Sequence, residues 1–576
     1  MAKVVYICVR NSSVPRTTEL KLAIAKISKR ICPDNITPRP AQVIEHAGII
    51  AGIFSPSSTV VCNKVNICLG FLSNYENWDV LGRMAPEGAY VIFRANQSRL
   101  QIVTDAMGSR PAWYYIDDNI LITGTSQRAI IALLKSFEFN TKLIPWLLVS
   151  GTPGPENAWD RRVRRVGADT ILTLDRGTWT ISLKTRELAF RSAHLDEIDH
   201  RNSLRNCLQS SIGEMRFDYS KWALALSGGY DSRGLLFFLP NPERMNTITW
   251  GLEFARSQKG NDAAIASEIS KSLRTTHQFF QMNISADPLE TIFNRFVVCG
   301  EGGIDHIAGY MDGFDIWRQL HDSSFEGIIR GDTCFAAKTV SSEADVRHAV
   351  GLWDWADFEN LPPAQSCGIE EQDYPKMLDR RASESLEQWR DRLRQCFRIP
   401  VWSAALNELK THYIEIANPL IVKRLVDHNA TIPDDLRTEK ILFKSLFDNG
   451  KSFRQPNPDI PFARSRATST SAEILGSGDA VAFLRSQLGS DTARSLLPEP
   501  LLKLVGQNLR QYQIRENVVK RQLMNLVGSK ARKRIRKVIP ARRTRPVMNF
   551  NKMAFRIFII CRMHNLLMDD AVFVQK

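Results

Sequence analysis

Trp222-Ala223-Leu224-Ala225-Leu226-Ser227-Gly228-Gly229-Tyr230-Asp231-Ser232 is the stretch on which the reading of this chain turns. Five apolar residues bounded by turn residues are a buried strand. The next six carry two glycines and two serines and run into a helix expected over 232–239, stopped by Pro240. Here the glycines are expected to let the backbone turn tightly, so that several N–H groups and the helix dipole converge on an anion. Ser227 and Ser232 add hydroxyl donors, and Asp231 is placed to hold a magnesium ion against phosphates. The plain alternative is a turn with a serine N-cap. No GxxxxGK[ST] occurs and no GxGxxG follows a strand, which excludes two other nucleotide loops.

Working outward, strands and helices alternate from about residue 195. Asn246–Trp250 reads as a strand, 261–273 as a helix and Phe325–Arg330 as a later strand, a pattern that predicts a parallel α/β sheet. Upstream, short apolar runs at 89–93, 100–103, 113–116, 120–122 and 170–174 are separated by turn residues, with one helical stretch at about 126–136. That predicts an antiparallel sheet unit. Beyond 340 the chain reads as mostly helical, with Pro-rich loops at 361–367 and 454–462 and an apolar helix near 553–567. The expected division is 1–190, 195–480 and 481–576, the last a basic helical extension.

Composition agrees. At roughly 150 residues per domain, 576 residues make two to four domains. With 44% hydrophobic and 24% charged residues the chain is ordinary globular protein, which excludes collagen-like, mucin-like and disordered classes. No apolar run reaches about 18 residues, and the start, Met1–Arg10, reads as a first strand rather than a signal peptide. The ten cysteines are scattered without a CxxC pair, so reduced, buried thiols and a cytoplasmic location are expected, with no zinc site. The net charge of +15 concentrates in 529–545, which carries Lys530, Arg532, Lys533, Arg534, Arg536, Lys537, Arg542, Arg543 and Arg545 and no acid. It reads either as a solvated basic face or as a contact for an acidic partner or an anionic membrane. It lacks the aromatic interleaving of a nucleic-acid platform, so no specific nucleic acid is expected.

Ser227–Ser232 resembles the pyrophosphate loop of the ATP-pyrophosphatases, and other segments extend the resemblance to the asparagine synthetases. Thr104–Tyr115 is similar to the RDxxGxxPLYY segment of their N-terminal-nucleophile glutaminase domain. Trp250-Gly251-Leu252 resembles the strand end that holds adenine, and Gly331–Phe335 the tail of GEGSDExFGG. Asn418-Pro419-Leu420 stands where that family has PFLD, and Arg437–Lys444 resembles the segment with the catalytic lysine. A second acidic stretch, Cys299–Asp305, looks more like GEGSD. Asp332 is preferred because a ligand-binding acid belongs at the carboxyl end of a strand.

The resemblance implies an α/β fold with a glutaminase-like β-sandwich, then a parallel ATP-pyrophosphatase unit. ATP and Mg2+ are the implied cofactors. Ser227, Gly228, Gly229, Asp231, Ser232, Trp250 and Gly331 would bind ATP, Asp231 and Asp332 would hold magnesium, and Lys440 would act at the α-phosphate, with Lys444 one helical turn on. Glu408 is the expected general base, Glu415 the second choice. The departures matter as much. The family's glutaminase needs a nucleophilic cysteine where this chain has Ala2, and its glutamine-gripping NGE is replaced by Leu72-Ser73-Asn74-Tyr75. The sandwich is therefore expected to be inactive, and another amine must attack the adenylate. Two branches fit: β-lactam synthetases, and lasso peptide cyclases, which adenylate an Asp or Glu side chain and let the peptide's N-terminal amine close a macrolactam. The second is favoured, because Ile329-Arg330-Gly331-Asp332 lacks the tyrosine of the β-lactam branch. It implies a precursor peptide, a leader peptidase and a leader-binding protein as partners. A non-catalytic protein derived from the family is the remaining alternative.

Overall fold

The computed structural model describes residues 2–10, 14–335, 338–448, 460, 462–463, 465, 468–511 and 545–574. Most of the basic stretch 529–545 and of the 454–462 loop therefore lies outside the described residues.

The strands of the N-terminal part are β1 (Lys3–Val9), β2 (Gln42–His46), β3 (Ile49–Phe54), β4 (Val61–Asn63), β5 (Asn66–Leu72), β6 (Gly88–Ala95), β7 (Arg99–Thr104), β8 (Trp113–Ile116), β9 (Ile120–Gly124), β10 (Arg164–Arg165), β11 (Thr170–Asp175) and β12 (Thr180–Thr185). They form two six-stranded sheets, in the orders β10-β8-β9-β1-β3-β2 and β12-β11-β7-β6-β5-β4. All described pairings within them are antiparallel. Side chains alternate across a strand, and that sorts this half. Val4 and Tyr6 of β1 and Ala51 and Ile53 of β3 face Leu69 of β5, Phe93 of β6 and Leu172 of β11 between the sheets. Val5 and Ile7 face the other way, onto the helices Val14–Arg30, Gln127–Leu134 and Phe550–Phe573.

The third sheet is parallel: β13 (Trp222–Ala225), β14 (Asn246–Gly251), β15 (His277–Gln281), β16 (Gly327–Ile329) and β17 (Glu415–Ala417), in the order β15-β14-β13-β16-β17. Both faces are covered. Ala223, Ile248, Ile328 and Ile416 belong to one core, Leu224, Ile329 and Ala417 to the other. Strand order reverses at β13, so a crevice opens at its carboxyl end, the usual place for a ligand in such sheets.

The structure departs from the sequence reading in places. The strand expected over 325–330 is only β16, so Asp332 stands three residues beyond its end. Helices at Val14–Arg30 and Leu143–Ser150, and strands β15 and β17, were not expected. The helix expected near 553–567 is Phe550–Phe573 and is no appendage: it shares a core with β1 and the helix Leu289–Gly300. Its Arg556 pairs with Asp305 at 2.6 Å and its Asp570 with Arg128 at 2.7 Å. All ten cysteines are free, but Cys62 is exposed and Cys32, Cys207 and Cys396 are half-buried, so the thiols are not uniformly buried. Among the described residues no helix is long and apolar enough to cross a membrane.

Candidate functional site

Beyond β13, Leu226 N–H still donates to Ile248 O at 2.9 Å, and the chain then turns. Ser227 N–H donates to Ser232 Oγ at 3.0 Å, the two hydroxyls meet at 2.9 Å, and Gly229 N–H donates to Ser227 Oγ at 3.2 Å. The helix starts two residues earlier than expected, as Tyr230–Phe238, with Gly229 at its N-cap and no side chain capping it. The serines thus tie the loop to itself, and the orphan N–H groups of the first turn stay available to an anion. The glycines act differently from the tight-turn expectation, since neither adopts a left-handed φ. A Cβ on Gly228 would stand 2.6 Å from Ala463 Cβ, and Ala463 N–H donates to Gly228 O at 3.0 Å. Room for the chain at 463 is what requires glycine there.

Ser227, Gly229, Asp231 and Ser232 line a cavity of about 350 Å3 together with Thr249 and Trp250 of β14 and Arg330, Gly331 and Asp332 after β16. Gly331 is pressed against the loop: a Cβ on it would lie 2.9 Å from Ser232 N and 3.1 Å from the Asp231 carbonyl carbon. Asp332 accepts from Asn407 Nδ2 at 3.3 Å and faces Arg330 Nη2 at 3.5 Å. Arg394 Nη2 donates to Thr333 O at 2.7 Å, and Thr333 bridges to Leu420. That bridge brings Asn418–Leu420 next to the segment after β16. Lys440 Nζ spans both oxygens of Asp231, at 2.6 and 2.8 Å. Glu439 and Lys440 both have left-handed φ, 55° and 57°. Non-glycine residues hold that conformation only where surroundings impose it, and Glu439 is pinned as acceptor from Thr339 N–H at 3.2 Å.

Four sequence candidates lie elsewhere. Glu408 is buried and faces Lys3 and, at 3.9 Å, Arg110, in a separate narrow cavity with Trp113, Arg165 and Glu301. The reason is helical phase: on the helix Ala404–Thr411, Asn407 meets Asp332, and the next residue points about 100° away. Glu415, on β17, pairs with Arg110 and accepts from Ile416 N–H at 2.8 Å. Lys444 sits over the Tyr230 ring at 5.6 Å, outside the cavity lining. Asp305 is locked to Arg556 and to Lys552 at 3.3 Å. Arg330, Asn407 and Arg394 went unnoticed as site residues, although Arg330 stands inside one of the family-like segments and Asn407 beside the chosen glutamate.

Asp231 and Asp332 are hard oxygen donors on one cavity and fit a divalent cation. Among the described residues no group of three or more His, Cys, Asp or Glu could hold a metal ion by itself. An ion there would complete its ligands from phosphate, as magnesium does.

No family model matches the chain, and no curated protein matches its sequence. Distant structural similarity is found to solved structures, two of which follow. One is titled as the allosteric regulatory enzyme of purine biosynthesis, at 10% identity and TM-score 0.20 over 50% of this chain and 82% of that one. The other is glutamine phosphoribosylpyrophosphate amidotransferase from B. subtilis complexed with ADP and GMP, at 8% identity and TM-score 0.20 over 61% of this chain and 89% of that one. At that TM-score the likeness decides nothing about this chain's activity.

Proposed function

We propose that the chain is an ATP-dependent amide-bond-forming ligase that adenylates a carboxylate, and specifically a lasso peptide cyclase. The observation that carries the reading is the convergence of a self-tied Ser227–Ser232 loop and two carboxylates on one cavity at the switch point of a parallel sheet, with Lys440 bound to one of those carboxylates. In this reading a substrate carboxylate oxygen attacks the α-phosphorus of ATP, and the bond to the pyrophosphate oxygen breaks. An amine then attacks the acyl carbon of the adenylate, loses a proton, and expels AMP. The loop N–H groups hold the leaving pyrophosphate, the hydroxyls of Ser227 and Ser232 fix the loop's shape, and the backbone around Trp250 meets adenine. Asp231 and Asp332 would hold a magnesium ion, which would supply charge neutralisation on the phosphates. Lys440 stabilises charge that builds at the α-phosphate.

The amine is the substrate's own in this reading. Ala2 is buried in the sandwich core and offers no nucleophile. Cys8 is buried within β1, and burial raises its thiol above the ordinary range, the opposite of an activated cysteine. Glutamine should therefore neither speed the reaction nor release glutamate. Glutamate above a no-enzyme control would mean that another nucleophile works in the N-terminal half. A peptide carrying both the carboxylate and a free N-terminal amine then closes to a macrolactam, with a leader peptidase and a leader-binding protein as partners in the cytoplasm.

The direct test is incubation with a leaderless peptide that has a free N-terminal amine and an internal Asp or Glu, together with ATP and magnesium. AMP and a peptide lighter by one water are expected. Absence of carboxylate-dependent AMP would favour a non-catalytic role, and turnover only with small amino acids a β-lactam-type ligase. The loop assignment has its own check. Gly331→Ala forces a Cβ onto Ser232 N, so the phosphate cradle must shift. Nucleotide affinity should fall about tenfold or more, because such sites depend on sub-ångström placement. Unchanged ATP affinity, read by equilibrium titration, would place the phosphates elsewhere.

A further inference from the structure

We propose that Arg330 forms a carboxylate-binding subsite at the Asp332 end of the cavity, where the acyl group to be activated docks across the sheet from the phosphate loop. The proposal rests on the adenylation reading above and names where its second substrate sits.

Strand alternation separates the two ends. Ile329 belongs to the core that includes Leu235 and Leu236 of the loop's helix and Leu442 and Phe443 just after Lys440. Ile328 belongs to the opposite core, with Tyr310 and Trp317. Arg330, two residues after Ile328, follows it to that side, while its backbone N–H is fixed to Ala417 O at 2.8 Å. The two cations, Arg330 lining the cavity and Lys440 bound to Asp231, are thus divided. Lys440 stands on the loop side, already engaged with Asp231, and Arg330 stands across the sheet.

Arg330 is poorly satisfied for a guanidinium with five donors. Its carboxylate contact among the described residues is the 3.5 Å approach to Asp332, at the outer limit of a hydrogen bond. Lys410, on the same side, is engaged within its own helix. That lysine is buried, its Nζ donates to Leu406 O at 2.5 Å, and it lies 5.4 Å from the Trp317 ring and 5.6 Å from the Tyr310 ring. Burial first, then the charge of Arg330, pushes it well below the usual lysine range. Trp250 meets Trp317 edge-on at 5.2 Å and gives this end an apolar wall. A permanently charged planar fork beside an aromatic wall suits a carboxylate on a short aliphatic stem. Phosphate is already provided for by the loop amides and Lys440 on the other side. During adenylation the carboxylate oxygen bonds to the α-phosphorus and pyrophosphate departs, while Arg330 holds the second oxygen and transfers no proton.

The test uses the full chain with a non-hydrolysable ATP analogue and four probes: N-acetyl-aspartate and N-acetyl-glutamate methylamides, and their asparagine and glutamine counterparts. Wild type should bind at least one acid about tenfold or more tightly than its amide, the scale of a charge-assisted pair. Arg330→Gln should erase that preference, Arg330→Lys should keep part of it, and affinity for the ATP analogue should stay within about twofold in both. If the glutamine variant does not fold, partial loss in the lysine variant decides the matter. No acid preference in wild type, or ATP-analogue binding that falls in step with carboxylate binding, overturns the subsite. If the acid preference is present and depends on Arg330 but no acyl adenylate ever forms with ATP, the subsite stands and the adenylation reading fails.

Discussion

Lys440→Ala lowers carboxylate-dependent AMP formation about a thousandfold while nucleotide affinity changes less than about threefold. The expectation comes from where Lys440 rests. It is clamped on Asp231, but the two side chains are 22% and 28% exposed. Pairs with that much solvent contact are worth on the order of 0–1 kcal/mol. The lysine can therefore leave Asp231 for a phosphate oxygen at little cost. In the proposed reading the loop N–H groups hold ground-state ATP, so the lysine adds most where new charge would appear, as the carboxylate attacks phosphorus. A fixed cation in that role supplies about 4 kcal/mol, the thousandfold above. The strained backbone at Glu439 and Lys440 holds the side chain's origin in place. Lys440→Arg should recover only part, because a planar fork cannot occupy the position of a compact ammonium. The measurement is AMP release beside equilibrium nucleotide binding on the same preparations. Equal loss in both would make Lys440 a ground-state phosphate ligand, and no loss in either would remove it from the chemistry.

What the sequence disclosed and what it hid divide along physical lines. The strand β13, the loop and its helix were legible because their signal is local, an apolar run broken by glycines. The place of Asp332 beyond a strand end could be read because it comes just after the apolar Ile328-Ile329. Glu408 was mistaken for a site residue by a single position. The helix Ala404–Thr411 is preceded by a π-helical stretch, Arg394–Ser403, with Pro400 inside it. A π-helical turn is wider than an α-helical one, so it shifts the phase of the α-helix after it. No count from the sequence could then say whether Asn407 or Glu408 meets the cavity. β17 was invisible because it has three residues and begins with a glutamate whose charge is met by Arg110, far away in sequence. The helix Phe550–Phe573 looked shorter than it is because Asn551 and Lys552 at one end and Asp569 and Asp570 at the other interrupt its apolar pattern; Asn551 and Asp570 find buried partners from other elements. Ion pairs made across the fold are the information a local reading lacks.

One such pair has the largest expected effect on stability. Arg110→Met should destabilise the fold by about 3–5 kcal/mol, the usual result of stranding a buried charge. Arg110 comes after a turn that Asp105 builds, its carboxylate accepting from Tyr90, Met107 and Ser109 N–H groups. That turn sends Arg110 out of the sandwich to Glu415 on β17 and toward Glu408, which Lys3 already holds. All four side chains are buried. Methionine leaves Glu408 its lysine but leaves Glu415, among the described residues, with the Ile416 N–H alone. The defect falls a few residues from Asn418–Leu420, whose bridge to Thr333 supports the Asp332 segment, so activity should drop together with stability. Adding Glu415→Gln separates the two. It removes the stranded charge, and the double variant should regain most of the lost stability, because a neutral buried group costs far less than an unpaired ion. Urea unfolding of wild type, single and double variants reads this directly. A loss under about 1 kcal/mol in the single variant would mean that Glu415 has other compensation. Recovery of both stability and AMP formation in the double variant would make the Arg110–Glu415 link a structural tie between the sandwich and the parallel sheet. Recovered stability with AMP formation still lost would assign the Glu415 charge itself a part in the chemistry.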